Sequence, residues 1–217
     1  MCERNRLILN VMKRLQILLA TVFALCIAVV ANAQEAGSDR VYRVGDLYEE
    51  DGLKGIVIQV SEDGKHGKIM SVDQAKLCWC DRATTYFKSG ENVITKAHDL
   101  DDGELNTNIV MSLDGVEDYK AFVWCRAKGD RWYLPSLREV RRIFDGRKAI
   151  KATIKKNKFE KLSGVWFLSS SEVGDEFASG GKSYSKNFAW VLSMTAGQPA
   201  HMAKDEGSVF VRAVAKF

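Results

Sequence analysis

The chain has 217 residues, of which 46% are hydrophobic and 28% charged, and its formal net charge is +4. This composition excludes an intrinsically disordered chain, a collagen-like repeat and a low-complexity polymer. The length predicts one globular domain with a sizeable core, after a short N-terminal segment of different character.

That N-terminal segment has the pattern of a signal peptide. Lys13 and Arg14 precede an apolar run over 15–30, and Ala31-Asn32-Ala33 follows it. A basic start, an apolar middle and a small-x-small end are typical of a cleavable secretory signal. The pattern predicts a signal peptide over 1–33 and an exported protein, either periplasmic, at the cell surface or secreted. A retained membrane anchor and a lipoprotein with Cys26 as the lipidated residue are the alternatives, although the apolar run is shorter than the ~20 residues of a spanning helix.

Strand patterns begin soon after a short polar leader over 34–40. Residues 55–60 and 67–72 are rich in β-branched and apolar side chains, and Glu62-Asp63-Gly64 lies between them. Two such runs around an acidic-glycine turn predict an antiparallel hairpin. We therefore expect a single domain over 41–217 with an N-terminal β-hairpin in 41–75.

Helix signals fill the middle of the chain, after a segment over 73–113 whose pattern is mixed. Asp114 and Glu117 are spaced as a capping box, which predicts a helix that stops at Gly129. Ser136 and Glu139 repeat the spacing and predict a second helix, ended by Asp145-Gly146. A third, basic helix is predicted from about residue 147 to about 160, with Ile150 and Ile154 buried.

The C-terminal third returns to strand patterns at 165–168, 188–192 and 209–214. The stretches 169–187 and 194–207 are rich in glycine, serine and charged residues and are predicted to be loops. Strands, then helices, then strands predict an α+β domain, since a parallel α/β fold would alternate the two.

Three cysteines lie beyond the signal segment: Cys78, Cys80 and Cys125. In an oxidising compartment they allow one internal disulfide at most. Cys78 and Cys80 are badly placed to pair with each other if the strand is extended. The predicted disulfide joins Cys80 to Cys125, with Cys78–Cys125 and three buried reduced thiols as the alternatives.

Positive charge is concentrated in residues 126–161, which hold thirteen basic and four acidic residues, a net charge of +9. Clustered positive charge attracts polyanions. The candidate ligand-binding residues are Arg138, Arg141, Arg142, Lys148 and Lys151. Because the protein is predicted to be exported, an acidic polysaccharide or glycosaminoglycan is the expected partner and nucleic acid is not; the alternative is a solvated helix face.

Residues of recognisable catalytic chemistry are absent from the sequence. His66, His98 and His201 are scattered, and neither a G-x-S-x-G, a Walker loop nor an H-E-x-x-H motif occurs. The acidic run over 99–104 lacks the ligand spacing of a calcium loop. We expect no enzyme, no cofactor and no metal site.

Three motifs in the C-terminal half occur together and in a set order. They are Trp132-Tyr133-Leu134-Pro135-Ser136-Leu137-Arg138-Glu139, Trp166-Phe167-Leu168-Ser169-Ser170-Ser171-Glu172, and Ala189-Trp190-Val191 with the terminal Val211-Arg212-Ala213-Val214. In this order they resemble the DUF1566 family, also called the C-terminal domain of collagen-like adhesins, over roughly residues 100–217.

That resemblance implies a C-type-lectin-like fold, with two or three helices packed on a twisted antiparallel sheet and the hairpin as an N-terminal extension. It also implies a non-catalytic binding or adhesion module of the bacterial envelope. A structural or assembly component that docks to another envelope protein is the alternative. The sugar-binding calcium motifs of that superfamily are not found in this sequence, so calcium-dependent sugar binding is not expected.

Overall fold

Ten β-strands and four α-helices run through the part of the chain that the computed structural model describes, residues 40–83, 92–174 and 187–217. The strands are β1 (Leu47–Glu50), β2 (Leu53–Val60), β3 (Gly67–Met70), β4 (Ala75–Lys76), β5 (Trp132–Tyr133), β6 (Trp166–Glu172), β7 (Phe188–Ser193), β8 (Pro199–Ala203), β9 (Phe210–Val211) and β10 (Val214–Lys216). The helices are α1 (Gly103–Met111), α2 (Lys120–Arg126), α3 (Leu137–Asp145) and α4 (Arg147–Asn157). The predicted α+β class is confirmed, with four helices in these residues where two or three were expected.

The N-terminal hairpin is built into a five-stranded antiparallel sheet with the order β1-β2-β3-β10-β5. Ile56 of β2 lies opposite Met70 of β3, and Met70 lies opposite Val214 of β10. All three side chains are buried. The hairpin is therefore not an extension of the domain, because its second strand pairs directly with the last strand of the chain.

A second five-stranded sheet has the order β4-β9-β6-β7-β8, and its pairs are antiparallel apart from β6 with β9. The strand predicted over 209–214 is divided between the two sheets. Val211 ends β9 in the second sheet and Val214 begins β10 in the first. Between them lies the buried Arg212, whose guanidinium donates to the Ser71 carbonyl at 2.8 Å. This bond fixes the chain where it passes from the second sheet to the first.

Helix α1 lies in the segment whose pattern predicted no helix. Asp102 is its N-cap and accepts the Leu105 N–H at 3.0 Å. The buried face carries Asn106 and Thr107, both fully buried and hydrogen-bonded. Because polar side chains fill that face, the helix has no apolar periodicity in the sequence.

Helix α2 begins later than the predicted capping box. Gly115 adopts a left-handed conformation with φ 70°, and a single 3₁₀ turn over Val116–Asp118 follows it. The Asp118 carboxylate is used by Arg82, whose Nη1 lies 2.9 Å from it. The box predicted at Asp114 is wrong, because the chain turns at Gly115 before the helix starts.

Helix α3 starts where predicted, at a complete capping box of Ser136 and Glu139. The Glu139 carboxylate is 1% exposed and accepts four donors from three parts of the chain. They are Lys68 Nζ at 2.5 Å, the Ser136 N–H at 2.8 Å, the Tyr133 hydroxyl at 2.9 Å and the Gly103 N–H at 3.2 Å. This side chain ties the start of α3 to α1, β3 and β5.

Helix α4 buries Ile150 and Ile154, as predicted, but it ends three residues before residue 160. Lys158 takes the left-handed conformation with φ 56° and turns the chain away from the helix axis. Glycine usually supplies this conformation at a helix end, so a lysine there gives no stop signal in the sequence.

Two predicted loops contain strands instead. Residues 169–172 continue β6, and all four side chains are buried although all four are polar. Strand β8 (Pro199–Ala203) lies within the predicted loop 194–207. Residues 175–186 of the first loop lie outside the described residues.

The predicted Cys80–Cys125 disulfide is wrong for this structure, in which Cys78, Cys80 and Cys125 are free and buried. Cys78 meets the start of α2, where its carbonyl accepts the Ala121 N–H at 3.2 Å. Cys125 lies one helical turn further on, about 6 Å along the axis. The rings of Trp79 and Phe122 pack 4.8 Å apart in the same core cluster as Cys80 and Cys125.

All three thiols are expected to react slowly while the protein is folded. Burial raises the pKa of Cys78 to about 11 and also raises the pKa of Cys80 and of Cys125. At pH 8 only about one Cys78 thiol in a thousand would be ionised, and the thiolate is the reactive form.

The free state of the three cysteines is tested separately, by alkylation of the unfolded protein. In urea without reductant, peptide mapping should find all three cysteines labelled. A pair that is labelled only after reduction would show a disulfide and contradict this assignment.

Candidate functional site

The basic segment forms two surfaces of different character, one on α3 and one on α4. On α3 the predicted ligand-binding arginines are already engaged within the protein. Arg138 pairs with Asp101, Arg141 Nε lies 3.3 Å from Asp145 Oδ1, and Arg142 Nε donates to Gln59 Oε1 at 2.8 Å. Arg141 also donates to the Gly197 carbonyl. These contacts hold α3 against its neighbours and neutralise part of its charge.

The lysines of α4, unlike the arginines of α3, are not engaged by other side chains in the described part of the chain. Lys148, Lys151 and Lys155 are spaced i, i+3 and i+7, so they share one face over about 10 Å of the helix. Their side chains are exposed, and within the described residues none makes an ion pair or donates a side-chain hydrogen bond. We call these three residues the α4 lysine face.

Acidic residues close to this face in the sequence are few, and each has a partner within the protein. Glu160 is the one acid between residues 147 and 163, and its carboxylate accepts the Gln74 N–H at 2.9 Å. Asp145, at the end of α3, pairs with Arg141. The α4 lysine face is therefore a patch of uncompensated positive charge on a helix that is fixed by buried Ile150 and Ile154.

A groove of about 630 Å³ opens beside this face at the C-terminal end of α4. Four lysines form its rim: Lys151, Lys155, Lys158 and Lys161. Three apolar side chains that pack against the core form its floor: Ile154, Phe159 and Leu162. We call this cavity the lysine groove; its volume is within the range of small-molecule sites, about 300–1,000 Å³.

The wall of the lysine groove is held by the buried Arg212. Its Nη2 donates to the carbonyls of Glu160 at 2.6 Å and Lys161 at 3.2 Å. Gln74 supports the same segment, because its Nε2 lies 2.8 Å from Ser163 Oγ. The loop after α4 is thus fixed by several contacts, and the groove is preformed.

A second polar centre is buried around Glu172 and Lys204. The two side chains are 1% and 0% exposed and form an ion pair. Glu172 also accepts the backbone N–H of Thr95 at 3.0 Å and of Lys96 at 2.8 Å. Lys204 donates to the Val93 carbonyl and lies 4.5 Å from the Trp79 ring centre.

This buried pair fits a structural role better than a catalytic one. Its atoms are nearly inaccessible to solvent, and each bond it makes fixes the segment 93–96 against β6 or the residues after β8. His98 Nδ1 lies 3.7 Å from Glu172 and is the partly exposed neighbour of the pair.

The acidic run over 99–104 uses its carboxylates for the fold. Asp99 accepts the N–H groups of Asp101 and Asp102, and these bonds hold the pKa of the Asp99 carboxyl below its usual value. Asp102 caps α1, and Glu104 pairs with Lys216. In the described part of the chain no three histidine, cysteine, aspartate or glutamate side chains are grouped as a metal site.

Comparison of the chain with protein-family models and with curated proteins gives no match. Among the residues that the structure describes, every helix is too short or too polar to cross a bilayer.

Lys148 and Lys151 were predicted as ligand-binding residues from the sequence, whereas the groove beside them was not. Phe159, Lys161 and Leu162 were not among the predicted site residues. The groove arises because the chain leaves the helix at Lys158 and folds back onto Arg212. An apolar pair among basic residues just after a helix was the available signal.

Proposed function

We propose that this chain is an exported, non-catalytic binding module whose α4 lysine face recognises an anionic polymer, of which an acidic polysaccharide is the preferred class. The observation that carries the proposal is the stripe of Lys148, Lys151 and Lys155, exposed and without acidic partners in the described residues. The arginines of α3 add to the positive electrostatic potential around this face, and their contacts fix α3 in place.

Charge of this kind favours a polymer over a small anion. Three amines spread over about 10 Å of rigid helix can meet successive charges of an extended chain at once. Lysine amines are strongly hydrated point charges without the fixed fork of a guanidinium, so they suit varied carboxylate and sulfate geometries. The attraction is expected to be screened by salt.

Export and the C-type-lectin-like assignment are parts of the same proposal. The signal-peptide pattern over 1–33 supports an exported protein, for which an envelope polysaccharide is an available partner and nucleic acid is not. The lectin-like assignment rests on the three C-terminal motifs and their order, and the α+β class of the domain is compatible with it.

The lysine face is tested by binding to dextran sulfate, with neutral dextran as the comparison. A lysine close to an anionic surface contributes about 1 kcal/mol. The triple variant Lys148→Gln, Lys151→Gln, Lys155→Gln should therefore bind dextran sulfate about 100-fold more weakly than the wild type. Isothermal titration at about 0.1 M salt gives the affinities, and binding should weaken strongly towards about 1 M, where the Debye length is about 3 Å.

A matched control removes the same charge elsewhere. Lys65→Gln, Lys96→Gln, Lys216→Gln changes three exposed lysines on other elements and leaves α4 intact. This variant should bind within about threefold of the wild type, because distant exposed charges are screened. Equal losses in the two variants would mean that net charge alone drives binding, and the proposed site would be wrong.

A further inference from the structure

The lysine groove combines two surfaces that a polysaccharide site would not need together. Its rim is cationic and its floor is apolar. Ile154 is 4% exposed, and Phe159 and Leu162 continue the hydrophobic core outward to the cavity. The hydroxyl and charged groups of a sugar would gain little from contact with such an apolar floor. An alkyl chain bound on it would be removed from water, which is favourable.

We infer that the lysine groove is a binding site for a monomeric single-chain amphipathic anion, with its carboxylate, sulfate or phosphate head among the rim lysines and its alkyl chain on the apolar floor. The inference goes beyond the proposed function and does not depend on it, although Lys151 and Lys155 border both surfaces.

Charge complementarity argues for an anionic head. The rim lysines Lys151, Lys155, Lys158 and Lys161 make no ion pair among the described residues. Lys54 lies nearby, 5.7 Å from the Phe159 ring centre, but its amine is paired with Glu49. A ligand with a positive head would meet four uncompensated amines and would be repelled.

The shape of the surface favours a monomeric ligand over a bilayer. The exposed large hydrophobic residues of the described chain are Val41, Val44, Ile94, Leu105 and Val165, and none belongs to α4 or to the groove rim. Insertion into a membrane interface needs apolar side chains that project outward beside the basic ones. Here the apolar groups form the floor of a concavity, which suits a chain that enters it.

The test is isothermal titration of the full domain with decanoate below its micellar concentration. Saturable binding of one decanoate per chain is expected, and the affinity should rise from octanoate to dodecanoate by up to about fourfold per methylene. Decyltrimethylammonium, with the same chain and a positive head, should not bind. Equal binding of the cation, or no gain with chain length, would overturn the inference, because one shows no role for the rim and the other no role for the floor.

Two variants locate the site. Leu162→Ser removes part of the floor and should weaken decanoate binding at least about tenfold. Because that change could also disturb the core, Ser163→Trp fills the groove from an exposed lining position and should abolish binding in a protein that still unfolds cooperatively in urea. Ser163→Ala removes the same exposed Gln74 bond without filling the groove and should bind decanoate like the wild type. Unchanged decanoate affinity in a folded Ser163→Trp protein would overturn the inference.

Further measurements distinguish the lysine groove from the α4 lysine face and from a membrane-binding surface. Lys148→Gln lies outside the groove and should weaken dextran sulfate but leave decanoate unaffected. Ser163→Trp should do the reverse. Binding to vesicles of phosphatidylglycerol without binding to monomeric decanoate would contradict the inference and assign the surface to membranes instead.

Discussion

Replacing Glu172 with methionine is expected to lower the free energy of unfolding by about 3–5 kcal/mol, the range for removing one partner of a buried ion pair. The change would remove the Glu172 carboxylate from the ammonium of Lys204, whose side chain is 0% exposed. It would also orphan the N–H groups of Thr95 and Lys96, which Glu172 accepts at 3.0 and 2.8 Å. Urea unfolding measures the effect.

The double variant separates the pair from its surroundings. Glu172→Met and Lys204→Met together should cost clearly less than the sum of the two single changes, because an apolar pair leaves no unpaired charge. Lys204→Met alone should cost less than Glu172→Met, since Glu172 would keep its backbone donors. Additive single effects would show that the ion pair does not couple these side chains.

Replacing Glu139 with alanine is expected to have an effect of similar size, about 3–5 kcal/mol. Four donors converge on this carboxylate, and two are backbone N–H groups at the starts of α1 and α3. Loss of the Glu139 carboxylate removes the capping box and leaves the Tyr133 hydroxyl and the Lys68 amine without this acceptor. Buried polar groups without partners cost about 1–3 kcal/mol each.

A neighbouring position gives the control for Glu139. Arg138→Ala removes the preceding side chain, which is 61% exposed and pairs with Asp101 at the surface. Exposed pairs contribute about 0–1 kcal/mol, so this variant should unfold close to the wild type. Glu139→Gln should lie between the two, because the amide keeps one acceptor oxygen and loses the charge. A Glu139→Ala protein as stable as Arg138→Ala would contradict the role given to the carboxylate.

The fold could be predicted from the sequence where local chemistry decides it. The capping box at Ser136, the buried Ile150 and Ile154 of α4 and the hairpin over 55–70 follow from spacing and turn residues. Other elements could not be predicted, because the side chains that they bury are polar. Helix α1 buries Asn106 and Thr107, and the end of β6 buries serines and Glu172, so neither has the apolar pattern of its element.

Tertiary contacts also decide what the basic residues can do. By charge alone the arginines of α3 and the lysines of α4 are equivalent. Only the structure shows that Arg138 and Arg141 are paired with carboxylates, while Lys148 and Lys151 are not. The groove beside α4 was equally hidden, because it depends on a left-handed lysine and on a buried arginine far along the chain.

Binding of dextran sulfate to two triple variants compares the basic surfaces of α3 and α4 at equal charge. The variants Lys148→Gln, Lys151→Gln, Lys155→Gln and Arg138→Gln, Arg141→Gln, Arg142→Gln each remove three charges, and both are titrated with dextran sulfate at about 0.1 M salt. The lysine variant is expected to lose about 100-fold in affinity, and the arginine variant, shown to be folded by urea titration, less than about tenfold. A larger loss in the arginine variant, or none in either, would contradict the assignment of binding to α4.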